Sequence, residues 1–335
     1  AMAALDVNAG DEVIVPPLTV ISNVVTIIAQ NAVPVFADVD PDTFNVCPKD
    51  IERKITKKTK CIMPVSLYGL SVDLDPIMKI AKKHNIGVVN DAAEAFGTLY
   101  KNQKIAEIAD ITSYSTENSK HITTGDGGIV VTNNEKYATA IRKFNSVGYA
   151  AMKSGDGRIR INKKIFQDPS YKRHDTLGLN YRMPEVAAAL GLAQTERLEE
   201  FVDLRIKIGK MYHEAVSGCD FITPQKTPDG YNNTYWCYTV KFEHKDVTWK
   251  EFRDKFSSFG GDGIYAAWAL SYEETLMTSE IYKKHAPYYY KDLSYEKGIC
   301  PVAESIQPKL MQFVTNYRDV NEASVQTKAL KKTID

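Results

Sequence analysis

Net charge, paired cysteines and long apolar runs are all missing from this sequence, and each absence removes a class of function. Lys+Arg and Asp+Glu both number 42 in 335 residues. No long-range basic field therefore favours nucleic acid or anionic lipid, and any anion must be caught by local groups. The five cysteines, Cys47, Cys61, Cys219, Cys237 and Cys300, are odd in number, widely spaced and without a C-x-x-C pair. That argues against a disulfide framework or a zinc site and leads us to expect a reducing compartment, the cytoplasm. No stretch approaches the ~18 apolar residues needed to span a bilayer, so no membrane helix is expected. Internal repeats and low-complexity tracts are also lacking. What is present is the composition of an ordinary globular protein, 44% hydrophobic and 25% charged, large enough for more than one domain.

The first residues, AMAALDVNAGDEVIV, read as the last turns of a helix running into a strand, so a segment is expected to precede residue 1. From there strand-like and helix-like segments alternate: GDEVIVP, a segment around Ser22 to Gln30, VPVFADV, helical DIERKITKKT, CIMPVS, helical DLDPIMKIAKKHN and IGVVND. This is the βαβ rhythm of a parallel sheet with helices on its faces, an α/β class. Such sheets bind ligands outside the carboxyl ends of their strands, which points to Tyr68-Gly69, Asp91 and the turn after Ile111 to Ser115. Residues 150 to 175 have no clear period and read as an irregular insertion. From Pro184 a long helix is predicted, then a strand in NNTYWCYTVKFE and a helix in TWKEFRDKFSSFGG. A boundary near residue 205 would separate a large domain, 1–205, from a small α+β domain, 206–335.

Asp91 at the end of IGVVN, Lys120 after ITSYS, and the turn Thr124-Gly125-Asp126-Gly127-Gly128 are each weak signals alone. An aspartate at a strand end often caps or turns the chain, and lone lysines are usually solvated. Together they place an acid and an amine at the ends of neighbouring strands, as a pyridine cofactor requires. A carboxylate beside the pyridine nitrogen would keep it protonated. An amine would form an imine with the aldehyde and then move a proton, provided that desolvation or a neighbouring cation lowers its basicity.

The strings Asp91-Ala92-Ala93-Glu94-Ala95-Phe96-Gly97, Ser115, Ser119-Lys120-His121-Ile122-Thr123-Thr124-Gly125-Asp126-Gly127-Gly128 and Gly178-Leu179-Asn180-Tyr181-Arg182-Met183 resemble the DegT/DnrJ/StrS-type sugar aminotransferases. The likeness extends through Gly10 to Pro16, Pro34 to Pro41, Leu67-Tyr68-Gly69 and Pro301 to Glu304. It implies an aspartate-aminotransferase-like fold, pyridoxal-phosphate fold type I, with a mostly parallel sheet in the large domain and a smaller α+β C-terminal domain. It also implies pyridoxal 5'-phosphate as cofactor, held by Lys120 as a Schiff base, with Asp91 at the pyridinium. By the same resemblance Ala93 packs on one ring face and Glu94 sits near the ring hydroxyl. Ser115 meets the phosphate, and Asn180 reaches the phosphate of the neighbouring subunit's site, which implies a homodimer with shared sites. Tyr68 and Arg182 are assigned to the substrate. The turn readings of Ser115 and Asn180 stay open beside these.

Val20 stands where the family usually has an aromatic residue that stacks on the ring, and Ser66 where a histidine usually precedes Leu-Tyr-Gly. The implied reaction moves an amino group, with glutamate as donor, onto the keto group of a nucleotide-linked deoxy sugar. The alternatives are a sugar dehydratase of the same family and a non-catalytic regulatory or binding homologue. Retention of Lys120 and Asp91 and the lack of clustered cysteines favour transamination. Lys163, Lys164, Lys172 and Arg173, with Arg182, either meet a diphosphate or form a solvated loop. His121 and His174 read as structural, since no metal-ligand spacing accompanies them, and Tyr288-Tyr289-Tyr290 as packing surface.

Overall fold

The segments EVIV and GVVND in the first half carry apolar residues at successive rather than alternate positions, which suits a sheet covered on both faces. The computed structural model describes residues 1–155 and 161–335. Five strands of the first half pair in parallel: β1 (Glu12–Val15), β2 (Val33–Phe36), β3 (Thr59–Ile62), β4 (Gly87–Asp91) and, after a small hairpin of β5 (Leu99–Tyr100) and β6 (Gln103–Lys104), β7 (Ile111–Ser115). The order is β2-β1-β3-β4-β7, and β8 (Gly128–Val131) completes the sheet antiparallel to β7. Helices α1 (Ser22–Ala29), α2 (Pro48–Lys54) and α3 (Leu74–His84) connect the parallel strands. Leu74, Ile77, Ile80 and Ala81 form the buried stripe of α3. Its last turn holds Lys82, Lys83 and His84, which complement the helix dipole, before Asn85 turns left-handed at φ 55°.

Helix α4 (Glu135–Asn145) starts at Asn134, whose side chain accepts hydrogen bonds from the backbone of Lys136 and Tyr137. In the irregular insertion the structure shows a four-residue helix, Lys163–Phe166; residues 156–160 of that segment lie outside the described residues. The long helix predicted from Pro184 is two helices, α5 (Glu185–Glu196) and α6 (Leu198–Val216), broken at Arg197, which has φ −108° and ψ 11°. Neither proline nor glycine explains the break. The two helices differ in burial: α5 buries none of its residues, whereas α6 buries Val202, Arg205, Ile208, Gly209, Tyr212 and Val216.

Helix α6, with α7 (Trp249–Ser258) and α8 (Val320–Ile334), covers a second, antiparallel sheet. Its strands are β9 (Ile222–Pro224), β10 (Cys237–Phe242), β11 (Ile264–Ala266) and β12 (Leu310–Val314), in the order β11-β12-β10-β9. Ile208, Tyr212, Val240, Phe252, Phe256, Phe313 and Leu330 form its core. The segment between β11 and β12 does not stay with this sheet. Tyr272 packs edge-on against Phe36 of β2 at 5.1 Å, and Tyr290 donates to the Ala32 carbonyl at 2.7 Å. Of the three consecutive tyrosines, Tyr290 is therefore core, while Tyr288 is 83% exposed. Among the described residues, no helix is long and apolar enough to cross a membrane.

Candidate active site

The carboxyl end of β4 builds the site. Asp91, its last residue, is tied into the sheet by its own N–H to Pro64 O (2.9 Å) and by Ser66 N–H to its carbonyl (2.8 Å). The chain then turns sharply, because the Asp91 side chain accepts the Ala93 N–H at 2.9 Å, an Asx turn. That turn aims Glu94 inward. One oxygen of this buried carboxyl accepts the Tyr68 N–H at 2.9 Å, and the other lies 3.6 Å from Lys120 Nζ. Lys120 arrives from the loop after β7, and its ammonium also lies 4.4 Å from the centroid of the Trp236 ring.

The Tyr68 backbone is left-handed, at φ 64°, an uncommon state for a bulky residue and one retained only where the surroundings enforce it. Glu94 holds its N–H, Gln312 donates to its hydroxyl at 3.3 Å, and Trp268 stacks on its ring at 6.3 Å. Gly69 follows at φ 101°, where a Cβ would come within 2.4 Å of the Tyr235 nitrogen, so only glycine fits.

Burial dominates the electrostatics. It pushes the Glu94 carboxyl up to about 7, against the downward pull of Lys120 and of the Tyr68 N–H. It also raises Asp91, opposed by the Ala93 N–H, an Asn23 hydrogen bond and Lys120. His121, buried with Nε2 on Thr234 O at 3.0 Å, is held well below the ordinary imidazole range by burial and then by the Arg205 charge, and stays neutral. A buried carboxyl, Glu94, and a half-buried one, Asp91, thus stand near one amine.

This predicts a pH-dependent stability. Because Glu94 is raised from 4.5 to about 7, the folded state holds a proton that the unfolded chain has released. Its contribution is full below about pH 4.5 and is lost as pH rises through about 7. Asp91 acts with the same sign, whereas the depressed His121 acts oppositely, its contribution being lost as pH falls below its ordinary range. Glu94→Gln should therefore gain on the native protein by as much as ~3 kcal/mol between these limits. Urea unfolding of both proteins at pH 5 and pH 8 reads the difference directly. Parallel stability curves would show that Glu94 does not titrate in this window.

Of the residues singled out by sequence, Asp91, Ala93, Glu94, Lys120 and Tyr68 come together. The Tyr68 phenol, 0% exposed, lies beneath the site rather than facing solvent. Ser115 is at the end of β7, where its hydroxyl accepts the Glu117 N–H at 3.2 Å. Asn180 and Arg182 are exposed. Asn180 bridges Ser146, and Arg182 lines a cavity of about 860 Å³, along with Ser113, Gly128 and Tyr181, that none of Asp91, Glu94 and Lys120 borders. His174 is a packing histidine, its Nδ1 at 2.8 Å from Val147 O and its ring against Tyr149. Among the described residues, no cluster of His, Cys, Asp and Glu could hold a metal ion.

Sequence reasoning missed Arg205, Trp236, Trp268 and Gln312, which reach the site from α6 and from the second sheet and its flanking loops. The one signal available was the aromatic run Tyr235-Trp236, a concentration of ring surface directly before the strand Cys237–Phe242.

A mostly parallel sheet with an amine and two carboxyls near its strand ends, joined to a smaller antiparallel unit, is the architecture of pyridoxal-phosphate fold type I aminotransferases. The solved aminotransferase from Psychrobacter cryohalolentis superposes with a TM-score of 0.84 at 27% identity, over 98% of this chain and 82% of that one. The sequence pattern of the DegT/DnrJ/EryC1/StrS aminotransferase family matches residues 1–327, and the chain belongs to this family. GDP-perosamine synthase of Escherichia coli O157:H7 is 37% identical over 240 residues, which is 72% of this chain and 61% of that protein. UDP-2-acetamido-2-deoxy-3-oxo-D-glucuronate aminotransferase of Pseudomonas aeruginosa is 35% identical over 244 residues, covering 72% and 62% respectively. The chain spans about three fifths of the length of the curated relatives it matches, 61% for each of two GDP-perosamine synthases.

Proposed function

We propose that this protein is a pyridoxal-phosphate-dependent aminotransferase that moves an amino group, from glutamate, onto a keto group of a nucleotide-linked deoxy sugar. The observation that carries this reading is the enclosure of the Lys120 amine with the Asp91 and Glu94 carboxyls at the strand ends. The donor set suits the cofactor. Lys120 is the cation beside Glu94, whose carboxyl burial displaces toward its neutral form, and a protonated pyridine nitrogen beside Asp91 would favour the charged form of that second carboxyl. The cofactor, when bound, supplies an electron sink for the carbon that loses its proton.

The chain's own residues do the rest. Asp91, fixed by Ala93 and Asn23, holds a proton at the pyridine nitrogen, and Ala93 leaves room for the ring face. Glu94 orders the ring hydroxyl, and Ser115 takes the phosphate. Lys120 holds the cofactor and then carries the proton between carbons. Arg182, the exposed Lys163, Lys164 and Lys172, and the half-buried Arg173 provide charge-assisted donors for a diphosphate, in keeping with the nucleotide-sugar names of the relatives. The free cysteines and the substrate class suit the cytoplasm. Incubation with glutamate and nucleotide-linked keto sugars, followed by mass spectrometry, tests the assignment. An amino sugar nucleotide formed only when glutamate is present supports it, and turnover of no keto sugar at all would overturn it.

We further propose a homodimer with shared sites. Leu177 (86% exposed), Tyr181 (66%), Val186 (84%) and Leu192 (63%) are apolar and uncovered around Asn180 and Arg182. A second copy of the chain would bury this face and bring Asn180 to the partner's phosphate site. Lys120→Ala and Asn180→Ala, each strongly impaired alone, should then recover part of the native activity when mixed and allowed to exchange subunits, because one of the two hybrid sites is intact. Absence of recovery in verified heterodimers, or an active monomer, would return Asn180 to a turn role.

A further inference from the structure

Lys120 rests on an aromatic surface that none of the roles above employs. Its ammonium lies 4.4 Å from the centroid of Trp236, within the range in which an indole face attracts a cation. The same indole donates its Nε1–H to the Ser119 carbonyl at 3.1 Å, so one ring holds both the amine and the peptide that precedes it. Arg205 closes the unit from α6. Its buried guanidinium donates to Ser119 O at 3.0 Å, Lys120 O at 2.9 Å and Trp236 O at 2.8 Å, and to Thr315 Oγ1 at 3.3 Å. Among the described residues no carboxylate pairs with this cation. Its hydrogen bonds go to the main chain of the two residues whose side chains meet, which fixes their separation. Trp268 stacks on Trp236 at 5.7 Å, and Tyr68 on Trp268 at 6.3 Å, so the plane of the ring is fixed as well.

We propose that Trp236 is a positioning residue for the Lys120 amine. Its face holds the ε-ammonium whenever the amine is unbonded, and keeps it beside Glu94 at the site instead of releasing it to solvent. A transaminating lysine is set free and recaptured in each half of the reaction, so a fixed resting place shortens the search for the reacting carbon. The proposal rests on Lys120 being the reactive amine. It differs from a space-filling role for the indole, which requires only bulk and the bond to Ser119.

Two variants separate the possibilities. Trp236→Phe keeps a ring face and loses the N–H, while Trp236→Leu loses both. The first readout needs no bound cofactor: protein freed of carbonyl adducts with hydroxylamine is exposed briefly to acetic anhydride, and acetylation of Lys120 is measured against surface lysines by peptide mass spectrometry. Trp236→Leu should raise the relative labelling of Lys120 about tenfold, as loss of a desolvated cation–π contact implies, and Trp236→Phe should stay close to native. The second readout is single-turnover kinetics of the two half-reactions in the loaded enzyme. Both rate constants should fall about tenfold in Trp236→Leu with little change in donor KM, and recover in large part in Trp236→Phe. Native labelling and rates in Trp236→Leu would overturn the proposal. Equal losses in the two variants would overturn it too, by assigning the effect to the Ser119 bond. If Trp236→Leu fails to fold, Trp236→Phe decides alone, near-native values supporting the ring face and a full loss rejecting it. Borohydride reduction of the native enzyme keeps the underlying reading separate: cofactor fixed on another lysine would refute the role of Lys120, while the acetylation result would still report whether Trp236 holds its amine.

Discussion

Lys120→Ala is expected to reduce transamination by more than ~10⁴-fold, the upper end of what one acid–base group contributes, because the same side chain also binds the cofactor covalently. The variant should still fold. Removing the ammonium takes away the one cation beside Glu94 and Asp91 among the described residues, but burial already displaces both carboxyls toward their neutral forms, which limits the charge left unpaired. Lys120→Arg is the informative control. It restores a positive charge near Glu94 while presenting a guanidinium that neither forms the imine nor gives up a proton, and it should be as inactive as alanine. After borohydride reduction, the native protein should carry the phosphopyridoxyl group on the peptide containing Lys120, and neither variant should carry it anywhere. A Lys120→Arg enzyme with appreciable turnover would show that charge alone, not the amine, is what the site requires.

Asp91→Ala should lower the rate by about 10²–10³-fold, the loss typical when one preorganised electrostatic partner of the reacting group is removed. Stability and activity should separate at this position. Alanine removes the acceptor of the Ala93 N–H, worth about 1 kcal/mol, but it also removes a carboxyl that burial disfavours. Asparagine keeps the Asx turn, so Asp91→Asn should melt close to the native protein while losing nearly as much activity as alanine. Thermal unfolding and steady-state kinetics of the two variants check this together. Near-native turnover in Asp91→Asn would mean that the carboxyl shapes the turn and does not hold a proton at the pyridine nitrogen.

The sequence by itself determined the strands that carry the site and the order of their acid and amine. Val13, Ile14 and Val15 are apolar at every position because both faces of the strand are covered, a requirement that is local and visible in the chain. Asp91 was recognisable because it ends such a run and Lys120 because it lies in the loop after the next strand, and strand ends are where a parallel sheet exposes its functional groups. Gly69 was legible as part of a motif, but the reason for it, the Tyr235 nitrogen 166 residues further on, was not.

Only the tertiary structure decided which groups surround the amine and what state they are in. Periodicity reports that a residue is buried, not against what. The approach of Trp236 and Arg205 to Lys120 depends on how the second sheet and α6 pack on the first, through contacts spanning 85 to 117 residues of chain. The long helix that breaks at Arg197 had an unbroken helical pattern, and the break coincides with a change from an unburied first half to a buried second half that the pattern did not show. The displacement of Glu94 to about 7 is a property of desolvation and of the nearby Lys120 charge, quantities that exist only once the chain has enclosed them.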